Sequence, residues 1–266
     1  MDLLSFLGLV LGLGAVIVGN ILEGSHLSAI TQPTAALIVF GGTAGAVLLA
    51  STGDDLRAVM RMVPRAFFGG KHDLRTLLRE ILDLSKITRR EGVLALEPKL
   101  AAMRNPFLAR GVRQVIDGTG APELRSILEM NMTKEEERDG AAAKLFETAG
   151  GFSPTVGILG AVLGLIHVMQ SLNDPSKLGE GIAVAFVATV YGVGFANLIA
   201  LPLAEKIKKR VHEEVAMREV ILEGLVGIAA GHPTSLLSQN LGILIGEEEK
   251  APSAAEATGE PAGQPA

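Results

Sequence analysis

Apolar and polar positions fall along this chain in blocks. Four stretches, Leu3–Leu22, Pro33–Thr52, Phe152–Leu172 and Gly181–Ala204, contain no Asp, Glu, Lys or Arg. Each has the roughly 20 residues with which an α-helix crosses a ~30 Å hydrocarbon core, so the pattern predicts four membrane spans. The block between the second and third stretches has a helical period instead: Leu74, Leu77, Leu78, Ile81 and Leu82 follow i, i+3, i+4, i+7, i+8, with Asp73 placed to cap them. Pro122 after Gly120 marks another helix start. Thr133 with Glu136 fits a capping box, and the helix it opens meets no breaker before Gly150 and runs on into the third span. The fourth span continues likewise through Lys206, Lys208, Lys209 and Arg210 into an amphipathic run up to Ala230. Asn173–Lys177, with Pro175, reads as a tight turn between antiparallel helices. From Glu247 onward Glu, Ala, Pro and Gly dominate, which predicts disorder.

The expected fold class is therefore all-α: an integral membrane protein with four transmembrane helices and a helical cytoplasmic domain inserted between spans two and three. Its expected divisions are 1–52 (spans one and two), 53–149 (cytoplasmic insert), 150–204 (spans three and four), 205–246 (cytoplasmic helical extension) and 247–266 (tail). The composition agrees: 48% of the 266 residues are hydrophobic, and the mean hydropathy is +0.38. Of the 24 basic residues, 17 lie in 51–149 and 6 in 203–266, leaving Lys177 alone between spans three and four. By the positive-inside rule the insert and both ends are cytoplasmic, while the loops near 23–32 and 173–180 face the other side. The first span lacks a positive n-region and is too long for an h-region, so it does not read as a cleaved signal. Many of the 32 glycines fall in the spans. Three pairs have GxxxG spacing, Gly8 with Gly12, Gly41 with Gly45 and Gly160 with Gly164, which lets helix backbones approach closely and suits a packed oligomer.

The spans offer little chemistry of their own. An ion-driven machine normally keeps a titratable carboxylate or basic group at membrane depth; these spans hold only hydroxyls, amides and one histidine, so another chain must supply the acid. His167 is the one ionisable side chain within a span; a neutral histidine bonded between helices outweighs a proton relay, because desolvation disfavours its charged form. Thr155 and Thr189 are either back-bonded to their own helices or, repeated around a ring of subunits, lining for a pore. Pro154 and Pro202, near the cytoplasmic ends of spans three and four, each free a carbonyl and permit a bend. Arg89, Arg90 and Glu91 before Gly92, with Glu97 further on, read by themselves as a solvated charged face. No cysteine is present, the five histidines lack metal-ligand spacing, and no nucleophile–base pair stands out. Gly69–His72 (GGKH) lacks the first glycine and the Ser/Thr of a phosphate loop. No enzyme activity, cofactor, metal or nucleic-acid partner is expected.

Several segments together carry a resemblance: IVFGGTAGAVLLA (38–50), RREGVLALE (89–97), VIDGTGAPELRSILE (115–129), SPTVGILGAVLGLIHVM (153–169), AFVATVYGVGFANL (185–198) and EGLVGIAAGHP (223–233). The chain resembles, over residues 1–246, the A subunit of the bacterial flagellar motor stator, the MotA/PomA family within the MotA/TolQ/ExbB superfamily. The resemblance implies a stator subunit of the inner membrane that forms an ion channel with a MotB-type partner and converts ion motive force into torque for flagellar rotation. It implies five A-type subunits around two copies of a single-span partner whose aspartate carries the ion. It also implies that Arg89 and Glu97, with Arg90 beside them, meet charges of the rotor switch protein FliG. Pro154 and Pro202 would then serve the coupling movement, and Thr155 and Thr189, with Phe186 one turn from Thr189, would line the ion pathway. Ala161 stands where sodium-type members often have Thr, which points to protons. Asn131 and Thr234 replace a Glu and an Arg expected in those stretches. An ExbB/TolQ-type energiser has three spans and a different insert. A self-contained channel or transporter would need its own intramembrane charge or an inverted repeat.

Overall fold

The computed structural model describes residues 3–24, 30–70, 73–170, 172 and 175–246, with 175–177 through their backbone. Among these residues every regular element is helical. The charge-free stretches become helices long and apolar enough to cross a membrane: α1 (Leu3–Leu22), α2 (Pro33–Ala50), and the apolar halves of two much longer helices. The connections are α3 (Gly53–Phe68), α4 (Leu74–Glu91), a 3-10 turn (Val93–Leu96) with a single α-turn (Glu97–Leu100), and α5 (Pro106–Ile116). Then come the 50-residue α6 (Ala121–Gln170), α7 (Leu178–Ala229), already helical in its backbone from Pro175, and α8 (Thr234–Leu244).

Two sequence expectations shift. The helix that enters the third span starts at Ala121, not at Thr133. Nothing between Gly120 and Thr133 breaks the hydrogen-bond ladder, and Asn131 turns its amide inward on its own helix, donating to the Ile127 carbonyl at 2.8 Å. A capping box does form, but between Thr52 and Asp55. There the Thr52 backbone N–H and hydroxyl bond the Asp55 carboxylate, and Asp55 N–H bonds the Thr52 oxygen. The Thr52 donors hold the Asp55 carboxyl below its ordinary range, so this cap is intact above that range and lost as pH falls through the lowered value. Asp73 caps α4 as expected, accepting from the N–H groups of Arg75 and Thr76 at 3.1 and 3.2 Å. Asn173, Asp174, residues 25–29 of the 23–32 loop, Lys71 and His72 of the GGKH string, and the tail from Glu247 lie outside the described residues.

The chain divides into two compact units, residues 1–71 with 133–215, and residues 72–132 with 216–266. The first holds all four spans. Within it α6 and α7 approach backbone to backbone, because the facing positions carry almost no side chain. A Cβ at Gly192 would stand 2.6 Å from the Ser153 carbonyl oxygen and 3.0 Å from the Gly157 Cα. One at Gly160 would meet the Ala188 Cβ at 2.7 Å, and one at Gly164 the Gly181 carbonyl at 2.8 Å. Of the three glycine pairs, only Gly160 with Gly164 seats a helix in this way. Gly8 and Gly45 face open space, since α1 buries no residue and on α2 it is Gly42, not Gly45, that faces Val156. A π-turn interrupts α2 at Leu37–Gly41 and α7 at Ala196–Ala200, and Phe40 on the first packs on Tyr191 and Phe195 of α7. Beyond the spans, Ala58 and Met62 of α3, Ala142 and Ala143 of α6, and Ile207 and Val211 of α7 share a small core. Asp139, almost fully buried beside it, accepts from Arg61 and Arg138, both at 3.1 Å.

The second unit is an ordinary apolar core in which Leu77, Leu78, Ile81 and Leu84 of α4 meet α5, α8 and the segments of α6 and α7 belonging to this unit. Arg125 and Glu223 close it with a two-pronged ion pair at 2.7 and 2.8 Å. Gly192→Ala is expected to force α6 and α7 apart and lower stability by about 1–3 kcal/mol, as overpacking does. Thermal unfolding of the detergent-solubilised protein measures it, and an unchanged Tm would contradict the close seam.

Candidate functional site

The α6–α7 seam holds Ser153, and Thr155 and Thr189 lie on the same two helices. Ser153, fully buried, donates its hydroxyl to the Gly192 carbonyl at 2.9 Å and so ties the two helices where their backbones touch. Sequence reasoning passed over Ser153, although it stands four residues before Gly157, the same small-xxx-small spacing that singled out Gly160 and Gly164. Two residues further on, Thr155 is exposed and donates to the Phe152 carbonyl at 2.7 Å; on α7, half-buried Thr189 donates to the Ala185 carbonyl at 3.2 Å. Both hydroxyl protons are thus spent on the threonine's own helix, the bland of the two readings. That bond leaves the lone pairs of each oxygen turned outward as acceptors, the half of a hydroxyl that a cation or a protonated carboxyl needs. Phe186, one turn before Thr189 on the same face, is 72% exposed. Its uncovered aromatic ring thus lies on the face of α7 that carries Thr189.

Pro154 sits inside the unbroken helix α6, directly after Ser153. Pro202 follows the π-turn of α7 by two residues. The fold links them: Gly150, whose carbonyl the Pro154 ring frees, lies under Leu201, the neighbour of Pro202, and a Cβ at Gly150 would stand 2.7 Å from the Leu201 Cδ2. Each proline therefore borders a stretch of weakened ladder, and the two stretches touch.

Arg89, Arg90 and Glu97 belong to the other unit. The two arginines occupy the exposed last turn of α4, where a cation complements the helix C-terminus. Gly92, at φ +84°, then turns the chain through a conformation that suits glycine and sends it into the 3-10 turn, so that Glu97 opens the next helical turn, also exposed. Among the described residues none of the three has an ion-pair partner. His167 is exposed and makes no hydrogen bond among the described residues, contrary to the interhelical bond expected for it. Val168 takes the position facing Gly181, which leaves His167 turned outward. The two departures from the family pattern have local partners: Asn131 bonds its own helix, and the Thr234 hydroxyl lies 3.1 Å from that of Ser85. Among the described residues no cluster of metal-ligating side chains occurs.

Four apolar spans, a seam closed by a buried hydroxyl and long helical extensions suit a membrane channel subunit, and sequence comparison agrees. Residues 99–220 match the MotA/TolQ/ExbB proton channel family, and residues 6–92 match the motility protein A N-terminal family. The motility protein A of Bacillus subtilis is 34% identical over 242 residues, covering 91% of this chain and 90% of that protein. The Campylobacter jejuni MotAB structure superposes with a TM-score of 0.85 at 29% identity, over 95% of this chain and 98% of that one. The flagellar MotAB stator complex from Bacillus subtilis gives 0.81 at 33% identity, over 89% and 93%. The chain belongs to the motility protein A (MotA/PomA) family.

An exposed, unpaired charge contributes little to folding. Arg89→Ala and Glu97→Ala are each expected to change stability by less than about 0.5 kcal/mol. A larger loss in a thermal melt would mean that these residues hold the fold rather than face a partner.

Proposed function

We propose that this chain is the A-type subunit of a flagellar motor stator, which joins a MotB-type subunit to make an ion channel and converts ion motive force into torque on the rotor. The observation that carries this reading is the contrast within the spans: acceptor hydroxyls at Thr155 and Thr189, with no Asp, Glu, Lys or Arg at membrane depth. The match along nearly the whole length of chains in two MotAB complexes supports the division of labour that this contrast requires. The single-span partner brings an aspartate, and five copies of this chain ring two copies of that partner. Residues 1–52 and 150–204 form the membrane part, and 53–149 with 205–246 the cytoplasmic part. Both ends of the chain are cytoplasmic, in keeping with the distribution of Lys and Arg.

The steps follow from charge and solvation. A bare carboxylate among apolar helices is costly, so the partner's aspartate gains by taking up a proton from the outer side. The Thr155 and Thr189 oxygens accept a hydrogen bond from the protonated carboxyl, and Phe186 keeps water from it. Ala161, with no hydroxyl where sodium-type members of the family often have Thr, suits a proton. Release to the cytoplasm restores the charge, and each proton that crosses 100 mV supplies about 2.3 kcal/mol. Alternation of charged and neutral states steps the ring around its axis, with the linked weak points at Pro154 and Pro202 taking up the bend. Arg89 and Glu97, with Arg90 beside them, meet opposite charges on FliG as the cytoplasmic units sweep past. Exposed pairs are worth only about 0–1 kcal/mol, so these contacts form and break quickly. The work is mechanical, and no catalytic residue is assigned.

Arg89→Glu combined with Glu97→Lys is expected to abolish swimming in soft agar while the membrane complex still assembles and purifies. Undiminished swimming would remove these residues from the rotor contact.

A further inference from the structure

One groove of the membrane unit is left over by this mechanism. It runs along α1 and the π-turn region of α7 and has a volume of about 530 Å³, within the roughly 300–1,000 Å³ of ordinary ligand clefts. Its walls are mainly apolar, with Leu9 from α1 and Leu198, Ile199 and Leu203 from α7; the Asn197 amide beside them donates to the Val193 carbonyl. Its floor on α1 is Gly8 and Gly12: no atom comes within 4 Å of a Cβ built on Gly8, and only Leu198, at 3.6 Å, approaches one on Gly12. These two glycines therefore keep a channel open instead of seating a helix. The groove ends on cations. Lys206 reaches the Ser5 hydroxyl and lies over the Phe67 ring at 5.6 Å, and Lys209 is exposed beside it with no ion-pair partner among the described residues. Glu205 also borders the mouth, but its carboxylate is held by Lys208 at 2.9 Å. Lys208 in turn is held protonated, its pKa raised first by Glu147 and then by Glu205. Among the described residues that border it, the mouth carries two lysines and one acid, at the end of the spans.

We propose that this groove binds one anionic glycerophospholipid, with an acyl chain along Gly8, Gly12 and Ile199 and its phosphate on Lys206 and Lys209. The occupant at this depth has to be apolar along the walls and anionic at the mouth, and a lipid of the cytoplasmic leaflet meets both demands. The site requires that α1 and α7 cross the bilayer and is independent of the assignments of Thr155, Arg89 and Glu97. Because Leu198 and Ile199 belong to the π-turn before Pro202, a bound chain would lie against the part of α7 that bends.

The test is native mass spectrometry of the complex of this chain with its single-span partner, purified in mild detergent and offered phosphatidylglycerol and phosphatidylcholine of equal chain length. Phosphatidylglycerol is expected to be retained at least about fivefold over phosphatidylcholine, in line with two lysines near an anionic surface. Lys206→Gln with Lys209→Gln should bring that ratio to near one with the subunit count unchanged, and Gly12→Leu, which fills the groove, should displace both lipids. Millimolar inorganic phosphate should not release the phosphatidylglycerol. Equal retention of the two lipids, a preference that survives the double lysine variant, or release by phosphate alone would each overturn the proposal. Swimming of the lysine variant, scored separately, leaves the stator reading to its own test.

Discussion

A helix that crosses a bilayer has no water to solvate a charge, so every ionised group at that depth must be paired, neutralised or supplied from elsewhere. This chain takes the third course. Its spans hold glycines, aliphatic residues and a few hydroxyls, and its Asp, Glu, Lys and Arg residues lie outside them. The buried ion pairs that do occur, such as Asp139 with Arg61 and Arg138, belong to the helical extensions. Removing the acid from the spans fixes what the rest can do. In the proposed stator the chain surrounds an ion carrier and responds to its charge, and the partner's aspartate carries the ion.

The same lack of side-chain bulk shapes the packing. Where α6 and α7 meet, glycine faces glycine, and the Ser153–Gly192 bond adds direction to a contact otherwise held by dispersion alone. Such a seam is rigid. The nearby weak points are of another kind: the π-turn at Ala196–Ala200, Pro202 after it and Pro154 opposite, joined through Leu201 over Gly150. A rigid seam beside a pair of linked bends concentrates movement in one place, as a subunit that steps around a partner requires.

The spans were readable because four uncharged runs of sufficient length have no other stable solution in a chain this apolar. The cap at Asp73 and the buried stripe of α4 were equally plain, since local hydrogen bonding and helical period decide them. The helix start at Pro122 after Gly120 is legible and correct, whereas the second start at Thr133 is not: a Thr and a Glu three apart satisfy the capping pattern whether or not a helix begins there, and only the uninterrupted ladder from Ala121 tells the two apart. His167 was given an interhelical bond by an argument about burial, but which face it occupies depends on the register set by Val168 and Gly181. The seam was half visible, through Gly160 and Gly164; Ser153 and Gly192 stand 39 residues apart, and no local pattern pairs them. Gly8 and Gly12 carry the right spacing for a helix contact and line an open groove instead.

A borrowed carboxylate is the claim on which the functional reading rests, and ion flux measures it directly. The purified chain alone, reconstituted in liposomes under an imposed potential, should pass neither protons nor sodium. Flux should appear when the single-span partner is added and vanish when its aspartate is replaced by asparagine. Ion flux through the chain by itself would contradict the division of labour.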